Sequence, residues 1–223
     1  MRKLCIVEYR QRISNLSLTL ITDRSLCKKL FFTVRQALVG GVRTVQLREK
    51  DLTTHQLYSL ASEMRRLTYD CEASLIINDR VDIALAVDAD GVHLGWQSMP
   101  IEKVRQLVGG KKLVGVSTHT LHEARQAQYY EADYITFGPV FPTRSKEGIL
   151  TSTGVEEIQR VKKEVQIPVI ALGGIDGKNV ESVLASGADG IAVISSILCS
   201  MNPENASRQF RGKIDSGGTF LNE

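Results

Sequence analysis

The sequence is narrowed first by what it lacks. It contains no stretch approaching the ~20 apolar residues that a membrane helix requires, so no membrane span is expected. The N-terminal MRKLCIVEYRQR is basic, yet its apolar run from Leu4 to Val7 is too short for the core of a secretion signal, and charge resumes at once. Cysteine is scarce and scattered. Cys5, Cys27, Cys71 and Cys199 share no close spacing of the metal or redox kind, which excludes a zinc knuckle and a CxxC couple and fits a reduced, cytoplasmic compartment. Long blocks of one charge are also missing. The densest basic runs, Arg65-Arg66 and Lys162-Lys163, lie in helix-like stretches where they read as solvated faces, and the formal net charge is only +3, so no nucleic-acid partner is expected. With no inserted domain and no low-complexity linker, function must sit on one folded unit.

What is present is a regular alternation. Short apolar runs rich in β-branched residues alternate with longer amphipathic segments, the pattern of βαβ units and a parallel sheet. Strands are expected at residues 18–23, 44–49, 74–79, 91–95, 112–118, 134–140, 168–174 and 190–196. Between them, stripes such as Ile101, Val104, Leu107 and Val108 suit helices that cover a sheet. Eight strands, each followed by a helical segment, satisfy a single-domain α/β fold, the (β/α)8 TIM barrel, better than an open sheet, and 223 residues suffice for it. The barrel is expected over residues 17–215, after an N-terminal extension (1–16) and before a frayed tail (216–223). Oligomeric state is left open, a homo-oligomer being compatible.

In such a barrel the chemistry gathers at the strand C-termini. Those positions are polar here: Gln46, Arg48, Glu49 and Lys50 after strand 2, Asn78 and Asp79 after strand 3, His93 on strand 4, and Ser117, Thr118 and His119 after strand 5. Strand 6 is followed by Thr143, Ser145 and Lys146. Each has a plain structural reading: Arg48 and Glu49 could pair with each other, and His93 reads best as a hydrogen-bonded interior histidine. Their joint placement at one end is the signal. Gly173-Gly174-Ile175 after strand 7 with Ser195-Ser196 after strand 8 points to a monophosphate site, because glycine lets backbone N–H groups approach phosphate oxygens. Arg48, Lys50 and Lys146 converging on one mouth call for a second anion. Asp79 ends an otherwise apolar strand and is a candidate ligand for Mg²⁺, with helix capping as the alternative.

The motifs QLREK (46–50), IND (77–79), DGVHLG (90–95), GVSTHT (115–120), GPVFPTRSK (138–146), GGI (173–175) and VIS (193–195), in this order, resemble the thiamine phosphate synthase and thiazole tautomerase family over nearly the whole barrel. The resemblance implies a synthase that joins an aminomethylpyrimidine diphosphate to a hydroxyethylthiazole phosphate, releasing pyrophosphate by a dissociative route. By the same resemblance, Gln46, Leu47, Arg48, Glu49, Lys50 and Asn78 contact the pyrimidine diphosphate, Ser117 and Lys146 contact its phosphates, and Asp79 ligates Mg²⁺. Thr143, Arg144, Ser145, Gly174, Ile194 and Ser195 correspond to the thiazole phosphate site, and Arg48, Lys50, Ser117 and Lys146 carry the catalytic burden.

One departure matters. The family's second magnesium carboxylate falls on Ser98 in GWQS, where a hydroxyl is the weaker ligand unless Asp82 or a water compensates. The altered loop is similar to that of the tautomerase branch, but the histidine implied for that activity corresponds to Pro139, leaving His119 as the substitute. The remaining alternatives are a non-catalytic thiazole phosphate-binding regulator and another phosphate-using barrel enzyme such as a phosphosugar isomerase. Trp96 is expected to pack on the helix after strand 4.

Overall fold

The computed structural model describes residues 6–143 and 151–217. Its strands are β1 (Leu18–Ile21), β2 (Thr44–Leu47), β3 (Ser74–Asn78), β4 (Gly91–Leu94), β5 (Leu113–Thr118), β6 (Tyr134–Phe137), β7 (Val169–Leu172) and β8 (Gly190–Val193). All run parallel, and β8 pairs back to β1 through Leu18 and Ile191, so the sheet closes into the expected barrel. The main covering helices are α2 (Leu30–Val39), α3 (Thr54–Asp70), α4 (Val81–Ala86), α5 (Ile101–Val108), α6 (Leu121–Tyr129), α7 (Val155–Glu164) and α8 (Val180–Ala185). After β8 come the short α9 (Ser195–Leu198) and then α10 (Pro203–Ser216).

The strands read as nearly continuous apolar runs because both of their faces are buried. With period two, Val45, Leu47, Leu75, Ile77, Ile135 and Phe137 point outward into the layer beneath the helices. Ile21, Ile76, Leu113, Tyr134, Ile170 and Ala192 point inward and fill the barrel. Most of the ladders end one to three residues before the expected strand ends. Residues such as Arg48, Glu49, Gly173 and Gly174 turn off into the loops, because a residue that leaves the ladder can aim its backbone groups at the mouth.

The N-terminal extension is not peripheral. It forms α1 (Ile6–Asn15), and Ile13 with Leu16 joins the interior cluster. The Asn15 amide donates to Ser74 Oγ at 3.0 Å, and Arg12 forms an ion pair with Asp90 at 3.2 Å. This helix therefore plugs the end of the barrel opposite the mouth. The tail expectation falls mainly on residues 218–223, outside the described residues. Ser216 itself is the last residue of α10 rather than frayed. Cys27, Cys71 and Cys199 are free thiols, and no helix among the described residues is long and apolar enough to cross a membrane.

An Ala-Asp pair recurs just before β4, β6 and β8 and makes the same clasp each time. Asp90, Asp133 and Asp189 donate their backbone N–H to the carbonyls of Leu75, Val114 and Val169. Their carboxylates accept the N–H groups of those same residues at 2.8, 2.7 and 2.7 Å. Each carboxylate also meets a cation from the preceding helical layer: Arg65, Arg105 and Lys162, respectively. The clasps stitch β3 to β4, β5 to β6 and β7 to β8 at the plugged end, where they serve stability rather than chemistry.

Candidate active site

On the β2 side, buried Gln46 points into the barrel and its Nε2 donates to Asn78 Oδ1 at 3.1 Å, so the two amides form one part-buried unit below the rim. Arg48 leaves the ladder with its backbone N–H on Thr22 Oγ1 at 3.0 Å and stays half-buried. Arg48 and Lys50 line a recess of about 250 Å³ with Asp23, Arg24, Ser25, Glu49 and Asp51. Two of the three cations expected on sequence grounds thus share a concavity, and the third, Lys146, lies outside the described residues.

The alternation of the strand separates the other members of this motif. Leu47 is buried in the outer apolar layer, so only its backbone can serve a ligand. Glu49 does not pair with Arg48. Its Oε2 accepts the Arg24 backbone N–H at 3.1 Å and faces the Arg24 guanidinium at 3.7 Å, while its buried Oε1 has no partner among the described residues. Arg24 also pairs with Asp51. The Glu49 side chain therefore fastens the loop after β1 to the loop after β2.

Inside the mouth, His93 is fully buried and hydrogen-bonded at both ring nitrogens. Nδ1 lies 3.1 Å from Tyr134 Oη, and Nε2 lies 3.0 Å from Ser117 Oγ and 3.3 Å from Thr136 Oγ1. Burial, reinforced by the Arg48 charge, pushes the imidazole down to about 3, so it is neutral. Burial likewise pushes the Tyr134 phenol up, so it keeps its proton. Ser117 is half-buried above this network, with its hydroxyl at the top of β5.

Asp79 sits at the tip of β3 with φ +66, a left-handed conformation uncommon for a non-glycine residue, fixed by its N–H donating to the His93 carbonyl at 2.8 Å. Its exposed carboxylate makes no hydrogen bond or ion pair with the described residues. Both side chains considered beside Asp79 have other partners. Ser98 Oγ accepts the Gly95 N–H at 2.7 Å, and Asp82 is bound by the Arg80 guanidinium, which also holds its carboxyl below the usual range. Among the described residues no group of three or more metal-ligating side chains assembles. One unengaged carboxylate at the rim fits a Mg²⁺ that takes most of its oxygens from phosphates and water. Trp96 does not pack on α5 as expected. It is 86 % exposed, because the loop after β4 carries it outward.

At the other side, Gly173 and Gly174 adopt φ of +100 and +64. A Cβ on Gly174 would lie 2.7 Å from the Pro142 carbonyl oxygen, so the loop after β6 packs directly on this turn. The Ser196 hydroxyl donates to the Ile175 carbonyl at 2.6 Å and ties the turn after β7 to the start of α9. Ser195 is the first residue of α9 and Ile194 its cap, placing N–H groups without intrahelical acceptors beside the two glycines. Thr143 lies at the edge of the loop after β6, whereas Arg144, Ser145 and Lys146 are outside the described residues. The His119 imidazole is oriented by its Nδ1, which contacts the Gly138 carbonyl, and its backbone N–H donates to Glu123 Oε2 at 2.6 Å.

Several organising residues escaped the sequence reading. Thr22, Arg24, Tyr134 and Thr136 position the residues named above. So does Asn179, which donates to the Gly174 carbonyl at 2.9 Å and accepts from the Asp176 N–H at 2.8 Å. The inward facing of Tyr134 and Thr136 was legible from alternation in YITF. Their partner was not. A wider groove of about 970 Å³ between α8 and α10 contains none of the expected site residues.

The profile of the thiamine monophosphate synthase family matches residues 18–197. A Geobacter sulfurreducens protein carrying a provisional thiamine-phosphate synthase name is 50% identical over 194 residues, 86% of this chain and 91% of its own length. The thiamine-phosphate synthase of Desulfitobacterium hafniense is 43% identical over 194 residues, 86% of this chain and 94% of its own. Among solved structures, thiamine phosphate pyrophosphorylase from Pyrococcus furiosus superposes with a TM-score of 0.85 at 38% identity, covering 92% of this chain and 98% of that one.

Proposed function

Because the chain belongs to the thiamine monophosphate synthase family, we propose that its mouth joins an aminomethylpyrimidine diphosphate to a hydroxyethylthiazole phosphate, giving thiamine phosphate and pyrophosphate. This is a transferase reaction. The C–O bond between the pyrimidine methylene and the diphosphate breaks, its electron pair leaving with pyrophosphate. The thiazole nitrogen lone pair then forms the new C–N bond and becomes the thiazolium. The protein need only hold two anions in register and stabilise the departing one.

The observation that carries this reading is the pairing, at one end of the barrel, of the recess where Arg48 and Lys50 stand, its acids Glu49 and Asp51 being engaged by Arg24, with the corner of Gly173, Gly174 and Ser195. The recess suits the diphosphate, since a guanidinium can grip two phosphate oxygens and an ammonium adds a mobile charge. Ser117 donates its hydroxyl to the same group, and Lys146 is assigned there from its motif. Gln46 and Asn78 offer amide groups to the pyrimidine ring. Gly174, Ile194, Ser195 and the Thr143–Ser145 segment receive the thiazole phosphate through backbone N–H and hydroxyl groups.

Asp79 would hold Mg²⁺, which supplies charge neutralisation to the diphosphate when bound. The fit is to a metal that arrives with its phosphate ligands, since Ser98 and Asp82 are otherwise engaged. The scattered spacing of the cysteines and the intermediary nature of the substrates support a cytoplasmic setting. The tautomerase reading is not favoured, since these relatives are named for synthase activity and Pro139 cannot move a proton. Purified protein incubated with both phosphorylated substrates and Mg²⁺ should yield thiamine phosphate. No product at high enzyme concentration would overturn the assignment.

A further inference from the structure

The buried His93 is used by nothing derived so far, yet it is the hub of the mouth's interior. Its three partners all carry hydroxyls, so its tautomer decides which way each proton points. If Nδ1 carried the proton, it would donate to Tyr134 Oη. The phenol's own proton would then lie in a fully buried place with no second acceptor among the described residues, and such an orphaned donor is costly. The bare Nε2 would then draw a proton from the nearer hydroxyl, Ser117 at 3.0 Å, or from Thr136 at 3.3 Å.

The other tautomer leaves no such conflict. Tyr134 donates its O–H to Nδ1, and Nε2–H donates to Ser117 Oγ at 3.0 Å, with Thr136 Oγ1 at 3.3 Å as a secondary acceptor. The Ser117 oxygen is then anchored from below by a donor, and its own proton is free to point out of the barrel.

The geometry points to His93 as a positioning residue: locked as the Nε2–H tautomer by Tyr134, it fixes the Ser117 hydroxyl so that its proton faces the diphosphate. The role rests on the reading above that Ser117 contacts that group. The fold supports the lock. A Cβ at Gly115 would lie 2.1 Å from Tyr134 Cζ, so the phenol ring occupies the space that glycine leaves open, and the register sets Gly115 beside both His93 and Tyr134. The neutral state of the imidazole agrees with a fixed tautomer.

Three measurements on the full chain test this. Nitrogen-15 spectra of histidine-labelled protein, assigned by loss of one signal in His93→Gln, should show the proton on Nε2; a proton on Nδ1 overturns the proposal. Tyr134→Phe removes only the locking hydroxyl. It should lower kcat/KM for the pyrimidine diphosphate about tenfold, the worth of one oriented hydrogen bond, with the KM for the thiazole phosphate unchanged. An unchanged kcat/KM, or an equal rise in both KM values, refutes positioning. Ser117→Ala separates the two readings. If it leaves kcat/KM intact, Ser117 is not a diphosphate contact and the positioning role falls with it, while thiamine phosphate formation by the wild type stands. If it lowers kcat/KM, adding Tyr134→Phe should cost nothing more, and a further tenfold loss overturns the coupling. Should Tyr134→Phe fail to fold, the tautomer spectrum decides.

Discussion

Acidification should destabilise this protein through His93. The unfolded imidazole takes a proton near 6.5, whereas the buried one resists until about 3. Between those values the unfolded chain binds a proton that the native state refuses, so the equilibrium moves toward unfolding as pH falls. The contribution is fully present above 6.5 and is lost progressively below it. For one such group, lowering the pH from 7.5 to 5.0 costs the native state about 2 kcal/mol. The figure is insensitive to the native value: at pH 5.0 the folded imidazole is almost wholly neutral whether it titrates near 3 or a unit above, so the unfolded state sets the magnitude. Carboxylates also respond over this range, and a variant is needed to cancel them. In His93→Gln the amide can still meet Ser117 and Tyr134 but does not titrate. Urea unfolding of both proteins at the two pH values should show the stability gap between them narrowing by about 2 kcal/mol on acidification. A gap that stays constant with pH would mean that His93 is protonated or solvated in the native state, and the account of the buried network would fail.

The remaining predictions concern the two ends of the barrel. Gly174→Ala places a methyl 2.7 Å from the Pro142 carbonyl oxygen at a φ of +64. It should weaken thiazole phosphate binding at least about tenfold and cost about 1–2 kcal/mol of stability; titration calorimetry with the thiazole phosphate showing wild-type affinity would remove this turn from the site. Ser98→Asp adds a carboxylate beside the rim and should raise activity at low Mg²⁺, whereas an unchanged magnesium dependence would show that this loop does not reach the metal. Asp133→Ala breaks a clasp that satisfies both Val114 N–H and Arg105. It should cost about 2–3 kcal/mol in urea unfolding while leaving KM for both substrates unchanged; a shift in either KM would place the clasp in the site after all.

Much of the fold was written locally. The strands are legible because burial on both faces demands unbroken β-branched runs, and the helices because one stripe of each must cover the sheet. The mouth was legible because closing eight parallel strands sends every strand C-terminus to the same end, which gathers Arg48, Lys50, Asn78, Asp79, Ser117, Gly174 and Ser195 from distant parts of the chain. Residues 144–146, three positions of the expected site, lie outside what the structure describes.

The sequence alone determined what period and topology can carry: the barrel, the polar end, and the motifs that identify the family. Tertiary structure decided which neighbours claim each polar group. Glu49 turns from Arg48 to Arg24, Ser98 and Asp82 are engaged by Gly95 and Arg80, Trp96 stands in solvent, and α1 plugs the far end. These outcomes depend on which atoms approach within 3 Å across the barrel. Hydrogen bonding is short-ranged and directional, and spacing along a chain does not encode distance across it.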